Sequence, residues 1–413
     1  ILAKWKRENS FEKSVELREG HPPFVFYEGP PSANGMPGIH HVMARAIKDI
    51  FCRFKTQQGF QVARKGGWDT HGLPIELQVE KRLGIKKEDI GTKISMEDYN
   101  KECRADVLMF KDRWDDLTRQ IGYWVDLDHP YVTYENNYIE SLWHLLKQLY
   151  DKGYLYKGYT IQPFSPAAGT GLSSHELNQP GTYQNVKDTT IVAQFQVQGT
   201  ENEYFLAWTT TPWTLPSNTA LAVGKDIDYD QIETFNPYTG IKIKVTLASA
   251  LVGKYFSAEG AEAPLENYTP QQKILPWRKL NTQKGSDLEG ACYIQLLPYA
   301  QPEEGDAFRV IIGDFVSTED GTGIVHIAPS FGADDFKTAR ENGIGTLTLV
   351  DKKGKFLDCV TDFAGEYVKE AYLSDEEKAA ETQKQGRDKY LGVDERISIK
   401  LKQENKAFKV EKY

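Results

Sequence analysis

Cysteine is scarce in this sequence, and its few cysteines stand far apart. The chain of 413 residues contains four cysteines, at Cys52, Cys103, Cys292 and Cys359. Because none belongs to a C-x-x-C pair, neither a disulfide framework nor a structural zinc site is predicted. We therefore expect a protein of a reducing, cytoplasmic compartment.

Long apolar runs are missing as well. No stretch of about 18 uncharged apolar residues occurs, so no membrane span is expected. The opening residues ILAKWKRENSFEKS lack the apolar segment of a secretory signal. The net charge of −9 argues against a protein that coats nucleic acid non-specifically. Neither a Walker-A motif nor G-x-G-x-x-G is present, which disfavours kinases and dehydrogenases.

The first part of the chain has the pattern of a strand, a glycine-rich turn, a helix and a second strand. Residues 22–31, PPFVFYEGPP, form an apolar and aromatic run that ends in a turn, which predicts a buried strand. A helix with one apolar face follows and ends near Gly59. Its apolar positions recur at three-and-four spacing at Ala46, Ile47, Ile50, Phe51 and Phe54. Such units build parallel sheets that bind ligands at the carboxyl ends of their strands.

Two further amphipathic segments, residues 96–120 and 135–152, predict long packing helices. After residue 160 the sequence becomes turn-rich and then gives short β-rich runs. Farther on, Ser374 with Glu377 three residues later predicts a capped helix. The predicted segments are an α/β unit over 1–160, a turn-rich connection over 161–185, a mostly β, barrel-like domain over 186–390 and a return segment over 391–413.

A turn containing Asn34, Gly35 and Gly38 lies between the first predicted strand and helix, with His40 and His41 just inside the helix. Backbone N–H groups of such a turn can approach a phosphate, and the helix N-terminus adds about half a positive charge. Imidazoles at this place can hydrogen-bond phosphate oxygens as negative charge builds during attack at phosphorus. The alternative is a plain turn followed by a helix.

Taken together, FYEGPPSANGMPGIHH and GWDTHGLPIE closely resemble the class I aminoacyl-tRNA synthetases, and GWDTHGLPIE points to their isoleucyl branch. The resemblance runs through most of the chain. It implies the first half of a Rossmann-like, parallel-sheet nucleotide-binding domain over 1–160, with the β-rich domain inserted after it. It also implies activation of isoleucine to isoleucyl-adenylate with ATP and Mg²⁺, transfer to tRNA(Ile), and a cytoplasmic monomer.

The signature that holds ATP in this family, His-x-Gly-His, is altered here. The chain has Gly38, Ile39, His40 and His41, so the first and third residues are exchanged. The resemblance assigns Gly38, His40 and His41 to the catalytic site. A subset of isoleucyl enzymes with the same exchange is associated with resistance to mupirocin, an inhibitor that resembles isoleucyl-adenylate. We expect the exchange to spare ATP chemistry and to weaken binding of that inhibitor.

The resemblance also implies a site for the amino acid. It places Gly29, Pro30 and Asn34 on the substrate side, and Asp69 opposite the α-ammonium of isoleucine. A carboxylate facing a cationic amine gives a charge-assisted hydrogen bond, which agrees with that role. The alternative for Asp69 is a cap on the loop THGLP.

Two segments of the β-rich part, WTTTPWTLPSNTALAV and GTGIVHIAPSFGADDF, look like the editing domain of isoleucyl-tRNA synthetases, which hydrolyses valine mischarged onto tRNA(Ile). Isoleucine and valine differ by one methylene, worth only about 1–3 kcal/mol in an apolar pocket, for which isoleucyl-tRNA synthetase is itself the established example. A second sieve that admits valine supplies the remaining discrimination. Hydroxyls at the end of a strand, where they can contact a ribose and a carbonyl, come from Thr209, Thr210, Thr211 and Thr214.

Within this editing segment the resemblance assigns Thr211, Thr214 and His326 to the pocket for the side chain and the ester. It assigns Asn218 to the support of the same pocket and Asp335 to the amino group. We interpret His326 as a wall that excludes larger side chains, and the alternative is a general base. No metal is expected, so hydroxyls and the terminal ribose of the tRNA must orient the water.

Several parts of the family are absent from this sequence, including a Lys-Met-Ser-Lys-Ser loop, the anticodon-binding helices and a C-terminal zinc module. We expect an N-terminal portion of a longer enzyme that activates isoleucine poorly alone. The stretch TIQPFSPAAGTGLSSHEL offers no cysteine and is expected to hold no zinc. Three alternatives remain, namely a free-standing trans-editing hydrolase, a silent tRNA-binding module, and a valyl or leucyl synthetase, against which GWDTHGLPIE and TTTPWTLPSN argue.

Overall fold

The computed structural model describes residues 1–165, 168–266 and 268–413. Residues 166 and 167, in the predicted turn-rich connection, and residue 267, in the predicted β domain, lie outside the described residues. The chain divides into two compact units, Ile1–Gly158 and Tyr159–Tyr413. No helix in the described ranges combines the length and the apolar character that a membrane crossing requires.

The first unit contains a three-stranded parallel sheet in the order β1-β2-β3. Its strands are β1 (Phe26–Tyr27), β2 (Arg64–Trp68) and β3 (Asp126–Val132). Its helices are α1 (Leu2–Glu8), α2 (Ser10–Glu16), α3 (Ile39–Gln57), α4 (Leu73–Leu83), α5 (Met96–Val107), α6 (Lys111–Gln120) and α7 (Asn136–Asp151), with a 3-10 turn at Lys87–Asp89. Because the strands are parallel, the loops after β1 and β2 leave the same edge of the sheet.

The first predicted strand is shorter than expected. Of residues 22–31 only β1 pairs in a regular strand, and Tyr27 is exposed, so the predicted strand is present but the prediction that it is buried is wrong. Strands β2 and β3 approach each other closely, which explains why β2 contains glycine. A Cβ at Gly67 would clash with the ring of Tyr131, and this ring carries a hydroxyl that donates to the carbonyl of Glu28 at 2.6 Å.

The predicted helix over 96–120 is in fact two helices, α5 and α6. The N–H of Phe110 donates to the carbonyl of Ala33 at 2.9 Å, a bond to the loop after β1 that replaces a bond within the helix. Trp114, one turn later, donates from Nε1 to the carbonyl of Gly35 at 2.8 Å. The break therefore fastens α6 to the loop that carries the predicted nucleotide site.

Helices α3 and α7 confirm the two other predicted helices of this unit, but their apolar faces point outward. The residues of α3 that are more than half exposed include Ile47, Ile50, Phe51 and Phe54. The buried residues of α3 are Arg45, Cys52 and Thr56, and α7 has no buried residue. Periodicity therefore located both helices correctly but did not predict which face of α3 is buried.

The second unit is β-rich, as predicted. Nine strands form a mixed sheet with the path β11-β9-β10-β7-β13-β8-β12, from which β6 branches by pairing with β7 and β14. These strands are β6 (Thr189–Gln196), β7 (Glu203–Thr209), β8 (Ala220–Val223), β9 (Asp228–Phe235), β10 (Lys242–Ala248), β11 (Arg278–Lys284), β12 (Arg309–Ile312), β13 (Ile324–Ile327) and β14 (Ala407–Lys412). A separate hairpin joins β4 (Phe164–Ser165) to β5 (Thr170–Gly171).

The helices of the second unit are mostly short and lie between the strands. They are α8 (Ser174–Leu177), α9 (Val252–Tyr255), α10 (Ala258–Glu262), α11 (Gly285–Leu288), α12 (Ala333–Glu341), α13 (Asp375–Lys384) and α14 (Val393–Gln403), with 3-10 turns at Pro212–Ser217, Ser249–Leu251 and Glu370–Tyr372. The capped helix predicted at Ser374 is confirmed as α13, because Ser374 Oγ accepts from the Glu377 N–H.

The core of this unit covers both faces of strand β6. Its alternate residues Ile191, Ala193 and Phe195 belong to one buried cluster, and Val192 belongs to a second cluster on the other face. This follows from the two-residue period of a strand. Helix α14 covers the first cluster with Val393, Ile397 and Leu401. The sheet is therefore a rigid base for the loops at the ends of β7 and β13.

Candidate functional sites

The first candidate site lies at the loops that follow β1 and β2. The Asp69 N–H donates to the carbonyl of Pro31 at 3.1 Å, so the two loops are joined by their backbones. Glu28, which precedes the glycine and proline assigned to the amino acid, is buried. Its carboxylate accepts from Lys48 at 2.7 Å and from the Tyr123 hydroxyl. The backbone at Gly29 and Pro30 is therefore held from one side by an ion pair that is buried on the Glu28 side and partly exposed on the Lys48 side.

His41 has a defined protonation pattern at the start of α3. The Gly38 N–H donates to its Nδ1 at 2.9 Å, so Nδ1 is an acceptor and the proton of a neutral ring resides on Nε2. Partial burial, followed by the charges of His40, Arg45 and Lys48, lowers the pKa of His41. The ring is thus a neutral donor at the positive end of a helix, which suits an anionic ligand.

Gly38 and His40 are in close contact. A Cβ at Gly38 would lie 2.8 Å from Cε1 and 3.0 Å from Nδ1 of His40. The imidazole of His40 therefore folds back over Gly38. A side chain at residue 38 would therefore require the exposed imidazole of His40 to turn away from this orientation.

The remaining residues assigned to the amino acid are less tightly held. Asn34 donates from Nδ2 to Oε1 of Gln78 at 3.2 Å. Asp69 is partly exposed, and its Oδ1 accepts from the His71 N–H at 3.5 Å. That contact is at the limit for a hydrogen bond, so the capping role leaves the carboxylate available to a ligand.

The sequence patterns did not single out Arg45 and Trp114, which complete the surroundings of His41. The ring of Trp114 lies 4.6 Å from that of His41, and the Arg45 guanidinium lies 4.8 Å from the Trp114 ring. Arg45 is buried, and its Nε and Nη1 have no hydrogen-bond partner among the described residues. Burial lowers the pKa of this guanidinium. In the sequence, Arg45 is one of six basic residues between 43 and 66, a local excess that could have drawn attention to it.

The second candidate site begins where β7 ends. Thr209 is the last residue of the strand, and its Oγ1 accepts from the Thr211 N–H at 3.1 Å. A 3-10 turn follows, in which the Thr214 hydroxyl donates to the Thr211 carbonyl at 2.9 Å. Three of the four predicted threonines therefore share one turn. Thr210 is exposed, and its side chain is outside this network in the part of the chain that the structure describes.

His326, in β13, is buried against this turn. Asn218 donates from Nδ2 to its Nδ1 at 2.9 Å, and Thr214 Oγ1 lies 2.9 Å from its Nε2. Because the Thr214 proton is already directed to Thr211, Nε2–H must be the donor. Burial lowers the pKa of His326 to about 4. Both ring nitrogens are engaged, which agrees with a wall and leaves no free lone pair for a general base.

Asp335 reaches the same region from α12. Its Oδ2 accepts from the Ala328 N–H at 2.9 Å, two residues beyond His326. Burial raises the pKa of the Asp335 carboxyl. Within the described residues its carboxylate is not hydrogen-bonded to the threonines or to His326. The ring of Phe331, in the loop before α12, lies 4.8 Å from Trp213 in the threonine turn, which holds the two loops together.

Two further residues of this site were not predicted. Tyr293 donates from its hydroxyl to Asn218 Oδ1 at 2.6 Å, and Asp394 accepts from the Trp213 N–H at 2.8 Å. Both lie far from the threonines in sequence, and neither stands in a recognisable motif. Only the packing of the β-rich unit brings them to the turn.

With this geometry in place, comparisons with known proteins assign the family. The model of the class I tRNA synthetases (I, L, M and V) matches residues 1–390, and the chain belongs to this family. The Isoleucine--tRNA ligase of Cytophaga hutchinsonii is 66% identical over 423 residues, which cover 99% of this chain and 38% of that protein. The Isoleucine--tRNA ligase of Bacteroides fragilis is 55% identical over 449 residues, with 100% and 38% covered. The chain therefore spans 38% of the length of these curated relatives.

Among solved structures, the crystal structure of GlLeuRS-CP1 is 14% identical, with a TM-score of 0.33 and coverage of 53% of this chain and 96% of that one.

Proposed function

We propose that this chain carries two sites of an isoleucine–tRNA ligase, one that activates isoleucine and one that edits. The observation that carries this proposal is the 66% identity to an Isoleucine--tRNA ligase over 99% of the chain. In this proposal the first unit is the first half of a Rossmann-like nucleotide-binding domain, and the β-rich unit is the inserted editing domain. The complete enzyme forms isoleucyl-adenylate, charges tRNA(Ile) and hydrolyses Val-tRNA(Ile).

In the activation site the carboxylate of isoleucine attacks the α-phosphorus of ATP, and pyrophosphate leaves. Negative charge grows on the phosphate oxygens in this step. The N-terminus of α3 and the Nε2–H of His41 are proposed to stabilise that charge. Asp69 is proposed to pair the α-ammonium, with Gly29, Pro30 and Asn34 beside it, because its carboxylate remains free for a charge-assisted hydrogen bond.

Mg²⁺ is proposed to accompany ATP rather than to occupy a protein cage. Within the described ranges, no group of three or more His, Cys, Asp and Glu side chains is arranged to hold a metal ion. Mg²⁺ usually keeps several waters and is bound through substrate phosphates with one or two carboxylates. In this proposal the role of the chain itself is therefore to hold and orient the nucleotide.

In the editing site a water attacks the ester carbonyl of Val-tRNA(Ile), the ester C–O bond breaks, and the ribose oxygen takes up a proton. Thr211 and Thr214 are proposed to face the ester, and buried His326 with Asn218 behind it limits the space for the side chain. Asp335 is proposed to bind the α-ammonium of valine. The exposed Thr210 can contact the tRNA end.

Deacylation assays with the 413-residue chain test the editing proposal. We expect Val-tRNA(Ile) to be hydrolysed faster than Ile-tRNA(Ile) without ATP. Asp335→Ala should lose that hydrolysis because the ammonium loses its partner. Asp334→Ala, which removes the exposed neighbouring carboxylate on α12, is the matched control and should keep it. Equal rates on the two esters, or an active Asp335→Ala variant, would contradict the proposal.

Binding of mupirocin tests the proposed role of the exchanged signature. The double variant Gly38→His with His40→Gly restores the family order and removes the ring that folds over residue 38. We expect it to bind mupirocin more tightly than the wild-type chain, as measured by calorimetry. His40→Gly alone separates loss of the imidazole from restoration of the histidine. Unchanged affinity in the double variant would show that the exchange does not govern inhibitor binding.

A further inference from the structure

Tyr293 lies in the core of the β-rich unit, at a distance in sequence from every segment that was assigned to editing. It is buried, and its ring packs against Phe195 and Phe308 with centroid separations of 5.4 and 6.1 Å. Its backbone N–H donates to the Phe308 carbonyl at 2.9 Å. The ring therefore has little freedom, and its hydroxyl is aimed at Asn218 Oδ1 at 2.6 Å.

This hydroxyl helps to determine the orientation of the Asn218 amide. Since Oδ1 accepts from Tyr293, Nδ2 faces the other way, where it donates to the Ala220 carbonyl at 2.8 Å and to His326 Nδ1 at 2.9 Å. A flipped amide would lose the bond to Ala220, because it would place Oδ1 against that carbonyl, and its Oδ1 could bond His326 only if the ring carried its proton on Nδ1. Amide orientation is assigned from such partners, and here they agree on one orientation.

The direction of every later hydrogen bond follows from that orientation. His326 Nδ1 must accept, so Nε2 carries the proton and donates to Thr214 Oγ1. Thr214 then directs its own proton to the Thr211 carbonyl. If the imidazole carried its proton on Nδ1, Nε2 would require the Thr214 proton, and the Thr211 carbonyl would keep only its bond from the Thr214 backbone N–H at 3.0 Å.

We propose that Tyr293 is a positioning residue for ester hydrolysis, which acts through Asn218 and His326 to keep the Thr214 hydroxyl directed at the Thr211 carbonyl and its oxygen bonded to His326. This inference rests on the proposed editing function. Tyr293 does not touch the ester. Its hydroxyl restrains one buried amide. In a buried hydrogen-bond network of this kind, the donor and acceptor direction of each bond stays fixed only while every group keeps its partner.

Tyr293→Phe tests this because it removes the hydroxyl and keeps the ring. We expect kcat for Val-tRNA(Ile) hydrolysis to fall by about tenfold, the effect of a lost buried hydrogen bond of about 1.4 kcal/mol, with KM unchanged. Tyr229→Phe is the matched control. Tyr229 is equally buried, but its hydroxyl bonds only the backbone of Gly224 and Gly323, so we expect its loss to leave kcat unchanged.

The state of the imidazole is measured independently by nitrogen NMR of the histidine-labelled 413-residue chain, with the His326 signals identified by their loss in His326→Gln. The wild type should show only the form protonated at Nε2, and Tyr293→Phe should add the form protonated at Nδ1. Asn218→Asp should convert the ring mainly to that second form, because a carboxylate at this place accepts from Nδ1–H.

Two outcomes would overturn the proposal. One is a Tyr293→Phe variant with the kcat of the wild type. The other is a variant that loses hydrolysis while His326 stays wholly protonated at Nε2, because the hydroxyl then does not act through Asn218. If the wild-type chain itself hydrolyses neither ester, the proposed editing function is wrong, whereas the NMR result still decides whether Tyr293 controls His326.

Discussion

The Nε2 atom of His326 lies 2.9 Å from Oγ1 of Thr214, across 112 residues of sequence. Both side chains are buried. The bond joins strand β13 to the turn after β7, which are the two segments that the sequence assigned to one pocket. This bond is therefore a physical reason for the histidine and the threonines to lie together, and the effect of removing it can be predicted.

We expect Thr214→Val to destabilise the chain by about 1–3 kcal/mol, because it leaves the buried Nε2–H of His326 without an acceptor. Hydrolysis of Val-tRNA(Ile) should fall with it. Thr219→Val is the control, since Thr219 is also fully buried but its hydroxyl has no partner within the described residues. That change should be neutral or stabilising. Urea unfolding of both variants measures the difference, and equal destabilisation would contradict the assigned bond.

Stability should depend on pH through His326. Burial lowers its pKa from 6.5 in the unfolded chain to about 4 in the folded one. Above pH 6.5 both states are neutral and no stability is lost. As the pH falls from 6.5 toward 4, only the unfolded state binds the proton, and stability declines by up to roughly 3 kcal/mol. His326→Gln should remove this part of the decline. Unfolding free energies of the wild type and of His326→Gln between pH 7 and 4 test this prediction. Parallel curves for the two proteins would contradict the predicted role of His326.

Replacing the buried Asp394 should destabilise the chain more than replacing an exposed aspartate that also forms an ion pair. It is buried, it accepts from Trp213 in the threonine turn, and it pairs with Lys369 at 2.7 Å. Asp394→Asn removes one of the two carboxylates that pair with the partly buried Lys369 ammonium, the other being Asp188, and we expect a loss of about 1–3 kcal/mol because Asp394 is itself buried. Asp228→Asn breaks the exposed pair with Lys284 and should cost no more than about 1 kcal/mol. Denaturant midpoints of the two variants test this, and a reversed ranking would refute it.

Gly332 provides space for Asp335. A Cβ at Gly332 would lie 2.8 Å from Cγ of Asp335, so Gly332→Ala should push the carboxylate away from the Ala328 N–H. The φ of −139° at Gly332 is open to any residue, so the effect should arise from this contact. We expect weaker binding of Val-tRNA(Ile), seen as a raised KM.

Gly253→Ala is the control for that change. It lies in α9 with nothing within 4 Å of the added methyl, and it should stabilise the chain by about 0.5–1 kcal/mol. An unaltered KM in Gly332→Ala would mean that the position of Asp335 does not depend on the glycine.

The helices of the first unit illustrate how far periodicity reaches. The spacing of apolar residues predicted α3 and α7, because a helix repeats every 3.6 residues whatever surrounds it. It did not predict that Arg45 and Cys52 would be the buried residues of α3. It also missed the break between α5 and α6, because that break depends on a bond from Phe110 to Ala33, a contact between residues 77 positions apart that no local pattern contains.

The residues around the threonine turn show the same limit of local sequence patterns at a candidate site. Thr211 and Thr214 stand in a segment that resembles a known family motif, and so does His326, so the sequence alone singled them out. Tyr293 and Asp394 do not, since a tyrosine in a strand-like run and an aspartate in the first turn of a helix are common in such positions. Their importance arises only from the partners that the packed sheet places opposite them.

By itself, the sequence determined the class of the protein, the order of an α/β unit and a β-rich unit, and the loops that carry the candidate residues. These features depend on local residue patterns and on the sequences of short motifs. The tertiary structure alone decided which nitrogen of His326 carries the proton, how His40 lies over Gly38, and which distant side chains hold the threonine turn. Those properties depend on distances between atoms of about 3 Å, and such distances are set only when the whole sheet is packed.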